Sequence, residues 1–343
     1  MPNSMTCVKA GGHTVAMTNI PYPDAPGPGQ ALLRTTLSTI CGSDVHILEL
    51  AVPDGTPMGH EAVGVVEAVG AGVTAFKVGD RVVTSCLLCC GTCPRCMEGD
   101  HQVCETFASP GNLLFGAQGD RFLVNGAQTS MAKVPDNLED EQVLFVTDIM
   151  STGFGAIERG GMKAGDTVAI FAQGPVGLCA TAGARTLGAG LIIGVEGIPE
   201  RQAMSKRMGA DVVVEPGEAV QRIMALTGGK GVDLAVEALG KQATFENACA
   251  VVRNGGTVSS VGVYGGIEAL SLPTSGSFTH RRIVTTFCPV GTARMTRLMG
   301  LVATGKVDLR PLITHSMKLS QTPEGYDLFR ARTGGVLKIA LRP

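Results

Sequence analysis

Tryptophan is missing from this 343-residue chain, and aromatic residues make up only 4% of it. The core must therefore come mostly from Val, Ile, Leu, Ala and Met. Long apolar runs are also missing. No stretch reaches 18 consecutive apolar residues, so no membrane-spanning helix is expected. Met1 to His13 lacks the apolar run after a basic start that marks a signal peptide, so none is expected there. Charge of one sign is scarce: the formal net charge is -2, which gives no reason to expect nucleic acid or an anionic membrane as partner. Hydrophobic residues, at 44% against 17% charged, exclude a disordered chain. The length exceeds one ordinary core and points to two domains.

What is abundant is glycine, at 47 residues, which implies many tight turns and close backbone approaches. Up to residue 150 the chain reads as short β-like runs, such as Ala31–Thr35, Ala62–Val69 and Arg81–Thr84. Pro53-Asp54-Gly55 and Val78-Gly79-Asp80 punctuate them as turns. This predicts an irregular, mostly antiparallel β domain. From residue 151 the character changes. Strand-like runs at 167–172, 191–196, 212–215, 232–239, 257–263 and 283–287 alternate with helical patterns at 176–187, 199–208, 219–226 and 241–252. Such alternation predicts an α/β, doubly wound parallel sheet. A last strand-like run at 336–341 lies beyond the series and is expected to return to the first domain.

Chemistry concentrates in Cys41-Gly42-Ser43-Asp44-Val45-His46, followed by His60-Glu61. Thiolate and imidazole suit zinc, and a catalytic zinc needs three protein ligands and one open position. The third ligand is not local. A second cluster is Cys90-x2-Cys93-x2-Cys96-x7-Cys104. Four thiolates at these spacings can close a tetrahedron around one zinc, which makes a structural site. Six of the eleven cysteines crowd into 86–104, and with no signal peptide expected this reads as a metal site in a reducing, cytoplasmic compartment rather than a disulfide framework. Cys89 breaks the spacing, while Cys7, Cys179 and Cys249 lie in apolar contexts and read as small core residues.

Ala172-Gln173-Gly174-Pro175-Val176-Gly177 sits where a strand meets a helix. Gly174, Pro175 and Val176 would bring a dinucleotide pyrophosphate onto the N–H groups of the helix start. A plain glycine turn would look similar, because the first glycine of the usual pattern is Ala172. Glu196, 22 residues after Gly174, ends the next strand where ribose hydroxyls are bound. Its carboxylate would repel a 2′-phosphate and favours NAD over NADP. Arg201 nearby argues the other way.

The order of these motifs resembles the zinc-dependent medium-chain alcohol dehydrogenases, over essentially the whole chain. The resemblance implies a GroES-like catalytic domain at 1–150 and 287–343, with the cysteine lobe at 86–104, around a Rossmann NAD-binding domain at 151–286. It also implies a zinc ligand just before the nucleotide domain, in many members a cysteine. The matching stretch Thr147–Gly153 has no cysteine, so Asp148 takes that role. This resembles the microbial secondary-alcohol branch, in which Cys41, His60 and Asp148 would hold the catalytic zinc and Glu61 would bind intermittently. Asp44 is expected to orient His60. Two zinc ions per chain and NAD are thus the implied cofactors.

The implied reaction interconverts an alcohol and a ketone or aldehyde by hydride transfer. Ser43 would pass the alcohol proton through the nicotinamide ribose to His46, and imidazole exchanges protons readily near neutral pH. The resemblance further places Thr152 at the nicotinamide, the backbone of Val261, Gly262 and Val263 at its carboxamide, and Lys338 at the pyrophosphate. It puts the zinc at the cleft between domains, and Ser43, Cys86, Val263 and Cys288 along the substrate pocket. These side chains are small to medium, which favours a branched secondary alcohol. The implied partner is that small molecule, with a homotetramer or dimer as the assembly. A polyol-, formaldehyde- or aldehyde-reducing relative shares the ligands and differs in the pocket. A zinc-stabilised redox-sensing or binding protein would need no Ser43, His46 or Asp148 in register.

Overall fold

The alternation after residue 151 becomes, in the computed structural model, a six-stranded parallel sheet. The structure describes residues 3–22, 25–50, 52–107, 112–272 and 280–343. The chain divides into two compact units, Met1–Ser151 with Cys288–Pro343, and Thr152–Phe287. Among the described residues no helix is long and apolar enough to cross a membrane.

In the second unit the strands lie in the order Val212–Val214, Leu191–Val195, Thr167–Phe171, Val232–Glu237, Val252–Ser260, Arg282–Thr285. Numbered along the chain this is 3-2-1-4-5-6, the Rossmann order, whose strand order reverses between the first and fourth strands. Both faces of the sheet are covered, so its central strands are apolar almost throughout. Successive side chains go to opposite faces. Ala169, Phe171, Ile193, Val195 and Ala235 enter one core, and Val168, Ile170, Ile192, Leu234 and Val236 the other. The scarce aromatics are used here and in the first unit: Phe122, Phe145, Phe154, Phe171 and Tyr326 are among the largest fully buried side chains.

A polar tie spans three strands of this sheet. The Asp233 carboxylate accepts the Thr167 N–H at 2.8 Å and the Arg253 guanidinium at 2.6 Å. Burial alone would raise its pKa, but these donors outweigh burial and hold it below the usual carboxylate range. The stabilisation is thus present above the ordinary aspartate pKa and is lost as pH falls through the lowered one. Asp233→Asn is expected to cost about 1 kcal/mol near neutral pH and nothing once both forms are protonated or neutral in acid. Urea denaturation at the two pH values reads the difference.

The first unit holds a seven-stranded sheet, in the order Ile313–Lys318, Lys338–Arg342, Ala31–Thr39, Ala62–Val69, Arg81–Thr84, Met131–Lys133, with Arg121–Val124 pairing Ala31–Thr39. All pairs are antiparallel except the first, which is parallel. A hairpin of Asn3–Ala10 and Thr14–Pro21 makes a separate two-stranded sheet. The last strand of the chain, Lys338–Arg342, inserts beside Ala31–Thr39 and carries Lys338 into the core of this unit.

Candidate active site

The helix Gly42–Glu49 starts at Cys41, and the Asp44 carboxylate reaches back to accept the Cys41 N–H at 2.9 Å. That local closure aims the Cys41 thiol inward. The other Asp44 oxygen accepts from His60 Nδ1 at 2.8 Å, which leaves Nε2 facing the thiol. A histidine held this way through one nitrogen is oriented to offer the other to a metal. Gln118 donates to the same carboxylate at 3.1 Å and accepts the Tyr326 hydroxyl at 3.0 Å. The expected Asp44–His60 contact is present; Gln118 and Tyr326, remote in sequence, gave no signal there.

Asp148 follows the short turn Leu144–Thr147 and brings Oδ2 to 3.3 Å from His60 Nε2 and 3.8 Å from Cys41 Sγ. With Glu61 these residues offer ligand atoms that lie within 4.8 Å of one another. Among the described residues, His60 Nε2 and Glu61 Oε2 are buried and find no hydrogen-bond partner. An orphaned imidazole nitrogen among a thiol and two carboxylates is costly unless a cation completes it. Cys, His and carboxylate are zinc donors, so this set fits the metal.

Lys338 is the unexpected member. The resemblance places it at a pyrophosphate; in the structure its ammonium is fully buried and bonded to Glu61. Burial disfavours its charge, but Cys41, Glu61 and Asp148 outweigh that and hold it protonated. Burial raises the Glu61 pKa while Lys338 pulls it back. Ser43 Oγ lies 4.0 Å from Cys41 Sγ. His46, one turn further along the helix, is half exposed and 3.8 Å from Glu49, suitably placed to exchange protons with solvent.

The four spaced cysteines come together as a second set. Cys90 and Cys96 sulfurs are 4.0 Å apart, and those of Cys93 and Cys104 are 3.9 Å apart. Four thiolates at about 2.3 Å from one zinc would lie about 3.8 Å from each other. N–H groups of Thr92, Cys93 and Glu105 point at Cys90 and Cys93. Burial would raise the Cys90 pKa, but the Thr106 hydroxyl, the Thr92 N–H and hydroxyl and the Cys93 N–H outweigh it and lower it to about 5. Gly91 takes φ +76° in the turn, where an added Cβ would lie 2.4 Å from Thr129. Cys89 stays outside and donates to the Thr129 carbonyl. Cys104→Ser is expected to remove one zinc per chain and lower the thermal midpoint by on the order of 5–10 °C, read by metal analysis and calorimetry.

In the second unit Gly174 caps the helix Pro175–Thr186, with Pro175 at its first position and Val176 next. Ala172, in the usual glycine's place, has φ +70°. A Cβ on Gly177 would lie 1.9 Å from the Ala172 carbonyl, so helix and strand need that glycine. Glu196 directly follows the second strand, Leu191–Val195. One oxygen accepts from Gln173 N at 2.9 Å, the other from Gly197 N and Ile198 N at 2.9 and 3.0 Å. Arg201 lies on the following helix, its guanidinium 3.9 Å from where a Gly174 Cβ would sit. Gly262 packs so close to Gly240 that a Cβ would lie 2.1 Å from its nitrogen, and Val263 is half exposed. Val261 donates its N–H to the Glu237 carbonyl at 2.9 Å. Thr152 is buried near the start of the helix Ile149–Arg159.

A Rossmann unit and a β unit with a Cys-His-carboxylate centre define a zinc-binding oxidoreductase. Comparisons specify it. Residues 27–137 match the alcohol dehydrogenase GroES-like domain, and residues 175–304 the zinc-binding dehydrogenase domain. An alcohol dehydrogenase of Cupriavidus necator is 42% identical over 96% of each chain. An NADP-dependent isopropanol dehydrogenase of Thermoanaerobacter brockii is 37% identical over 85% of this chain and 86% of that protein. The solved alcohol dehydrogenase of Thermus sp. ATN1 superposes with a TM-score of 0.92 at 33% identity, covering 98% of this chain and 99% of that one. The chain belongs to the zinc-dependent medium-chain alcohol dehydrogenases, and its function is the interconversion of alcohols and ketones or aldehydes.

Proposed function

We propose that the chain is an NAD-dependent dehydrogenase of small secondary alcohols. Asp148 in the third ligand position carries the reading, together with the isopropanol dehydrogenases among the relatives. Cys41, His60 and Asp148 would hold the zinc, which would supply Lewis acidity toward an alcohol oxygen, and a bound NAD would supply the hydride acceptor. Ser43, beside Cys41, holds the hydroxyl proton of the alcohol, and His46 releases it to solvent. Glu61 serves as a reserve ligand, restrained by Lys338. The enzyme is taken to work as a cytoplasmic homo-oligomer, a tetramer or dimer.

Glu196 supports NAD, since a 2′-phosphate beside a buried carboxylate is repelled. Gly174, Pro175 and Val176 would seat the pyrophosphate, Thr152 and Val261–Val263 the nicotinamide. The NADP-dependent relatives and the nearby Arg201 make cofactor choice the part most worth testing. A matrix of propan-2-ol, a primary alcohol and sorbitol against NAD and NADP is the experiment. Propan-2-ol with NAD is expected to lead, with kcat/KM at least about tenfold above NADP, a difference of about 1.4 kcal/mol. Glu196→Ser is expected to narrow that ratio. Faster turnover of the primary alcohol or sorbitol would move the assignment to the polyol or aldehyde-reducing members.

A further inference from the structure

Two buried thiols near the catalytic set have no role in the mechanism above. Cys86 follows the strand Arg81–Thr84 and donates its N–H to the Thr147 carbonyl at 3.1 Å, just before Asp148. Cys288 opens the C-terminal part of the first unit and turns its thiol to the Asp148 carbonyl oxygen at 3.6 Å. The two residues share a small apolar cluster with Leu87, Val290 and Leu113. Cys86 Sγ, Cys288 Sγ and a carboxylate oxygen of Asp148 lie within 4.8 Å of one another. That is a metal-ligand constellation in its own right, and it shares one residue with the Cys41–His60–Glu61–Asp148 set.

We propose that Cys86, Cys288 and Asp148 form a second binding site for a thiophilic divalent cation, Zn²⁺ or Cd²⁺, joined to the catalytic set through the Asp148 carboxylate. The donor types argue for that class: two thiols select soft or borderline cations, and Mg²⁺ or Ca²⁺ would find too few oxygens. Three protein donors can bind the cation and leave one position of a tetrahedron open. Binding forms two metal–sulfur bonds and releases both thiol protons, so the cation's charge is balanced by the two thiolates it creates. The cost is the sharing of Asp148, a ligand the catalytic zinc also needs. The site should therefore be the weaker of the two and fill only when metal exceeds two equivalents per chain. If the alcohol lies along Cys86 and Cys288, as the family resemblance implies, a cation there crowds it, and excess zinc or cadmium becomes an inhibitor. That inhibition rests on the proposed position of the alcohol; the site itself does not.

The test titrates the zinc-loaded enzyme with Cd²⁺ in the presence of a non-chelating reductant. Bound metal is counted after desalting, and the thiolate-to-cadmium charge-transfer absorption is followed. The expected result is one further equivalent per chain, with that absorption and with at least about tenfold slower alcohol oxidation. Cys86→Ser and Cys288→Ser are each expected to keep two zinc ions, which reports their folding, and to lose the further equivalent. No further equivalent in the unsubstituted enzyme, or one that survives both substitutions, would overturn the site. Uptake with the expected dependence on both cysteines but with undiminished alcohol oxidation supports the site and counts against the proposed alcohol position.

Discussion

Asp148→Ala is expected to leave the enzyme with one zinc per chain and to lower kcat/KM for alcohol oxidation by about 10³-fold. The substitution removes the one ligand that comes from outside Cys41–Glu61 and leaves a thiolate and an imidazole to hold the metal. A Lewis acid is worth several kcal/mol of transition-state stabilisation, and each 1.36 kcal/mol is tenfold in rate. Asp148→Cys tests the same point from the other side. It restores a third donor, a thiolate, and is expected to keep both zinc ions. Metal analysis separates the two variants before any rate is measured. Two zinc ions and near-normal turnover in Asp148→Ala would show that Glu61 alone can complete the set.

Lys338→Met should be strongly destabilising although Lys338 is not itself a metal donor. Lys338 and Glu61 are both fully buried, and the Lys338 ammonium is set against Cys41, Glu61 and Asp148. Breaking a buried pair from one side leaves a charge without water or counter-ion, at a cost of about 3–5 kcal/mol. Glu61→Gln is expected to cost less, because Lys338 keeps the charges of Cys41 and Asp148. The double variant should recover much of the loss. The Lys338→Met deficit should be largest after chelation, since bound metal offers Glu61 another cation. Denaturation of metal-loaded and chelated protein measures each step. Equal costs for the two single variants would show that the pair does not act as described.

Much of the candidate set was legible because its parts are local. Cys41, Asp44 and His46 share one helix, and Cys90, Cys93, Cys96 and Cys104 declare themselves by spacing. The parallel sheet was legible because buried strands must be apolar on both faces. Asp148 came from the family pattern, with no local sign of metal binding. Lys338 was misplaced because a lone lysine in a strand looks the same whether it meets a phosphate or a buried carboxylate. Gln118 and Tyr326 are ordinary residues until the fold brings them to Asp44. Some signals were present and unread. In the helix Thr292–Ala303 the buried Met295, Leu298, Met299 and Val302 recur at helical spacing. Ile313–Lys318 alternates half-buried and exposed residues as a strand at a sheet edge should.

The route of the chain through the first unit has a consequence for its biogenesis. Cys41 and His60 emerge early in synthesis, yet their supports Tyr326 and Lys338 are made only after the whole of Thr152–Phe287. Domains tend to fold as units while the chain is still growing. The nucleotide unit can therefore mature first, while the metal centre waits as an open set of thiols and carboxylates until the final strand arrives. Assembly of that centre then waits on a strand made after the nucleotide unit, and zinc is expected to enter it late.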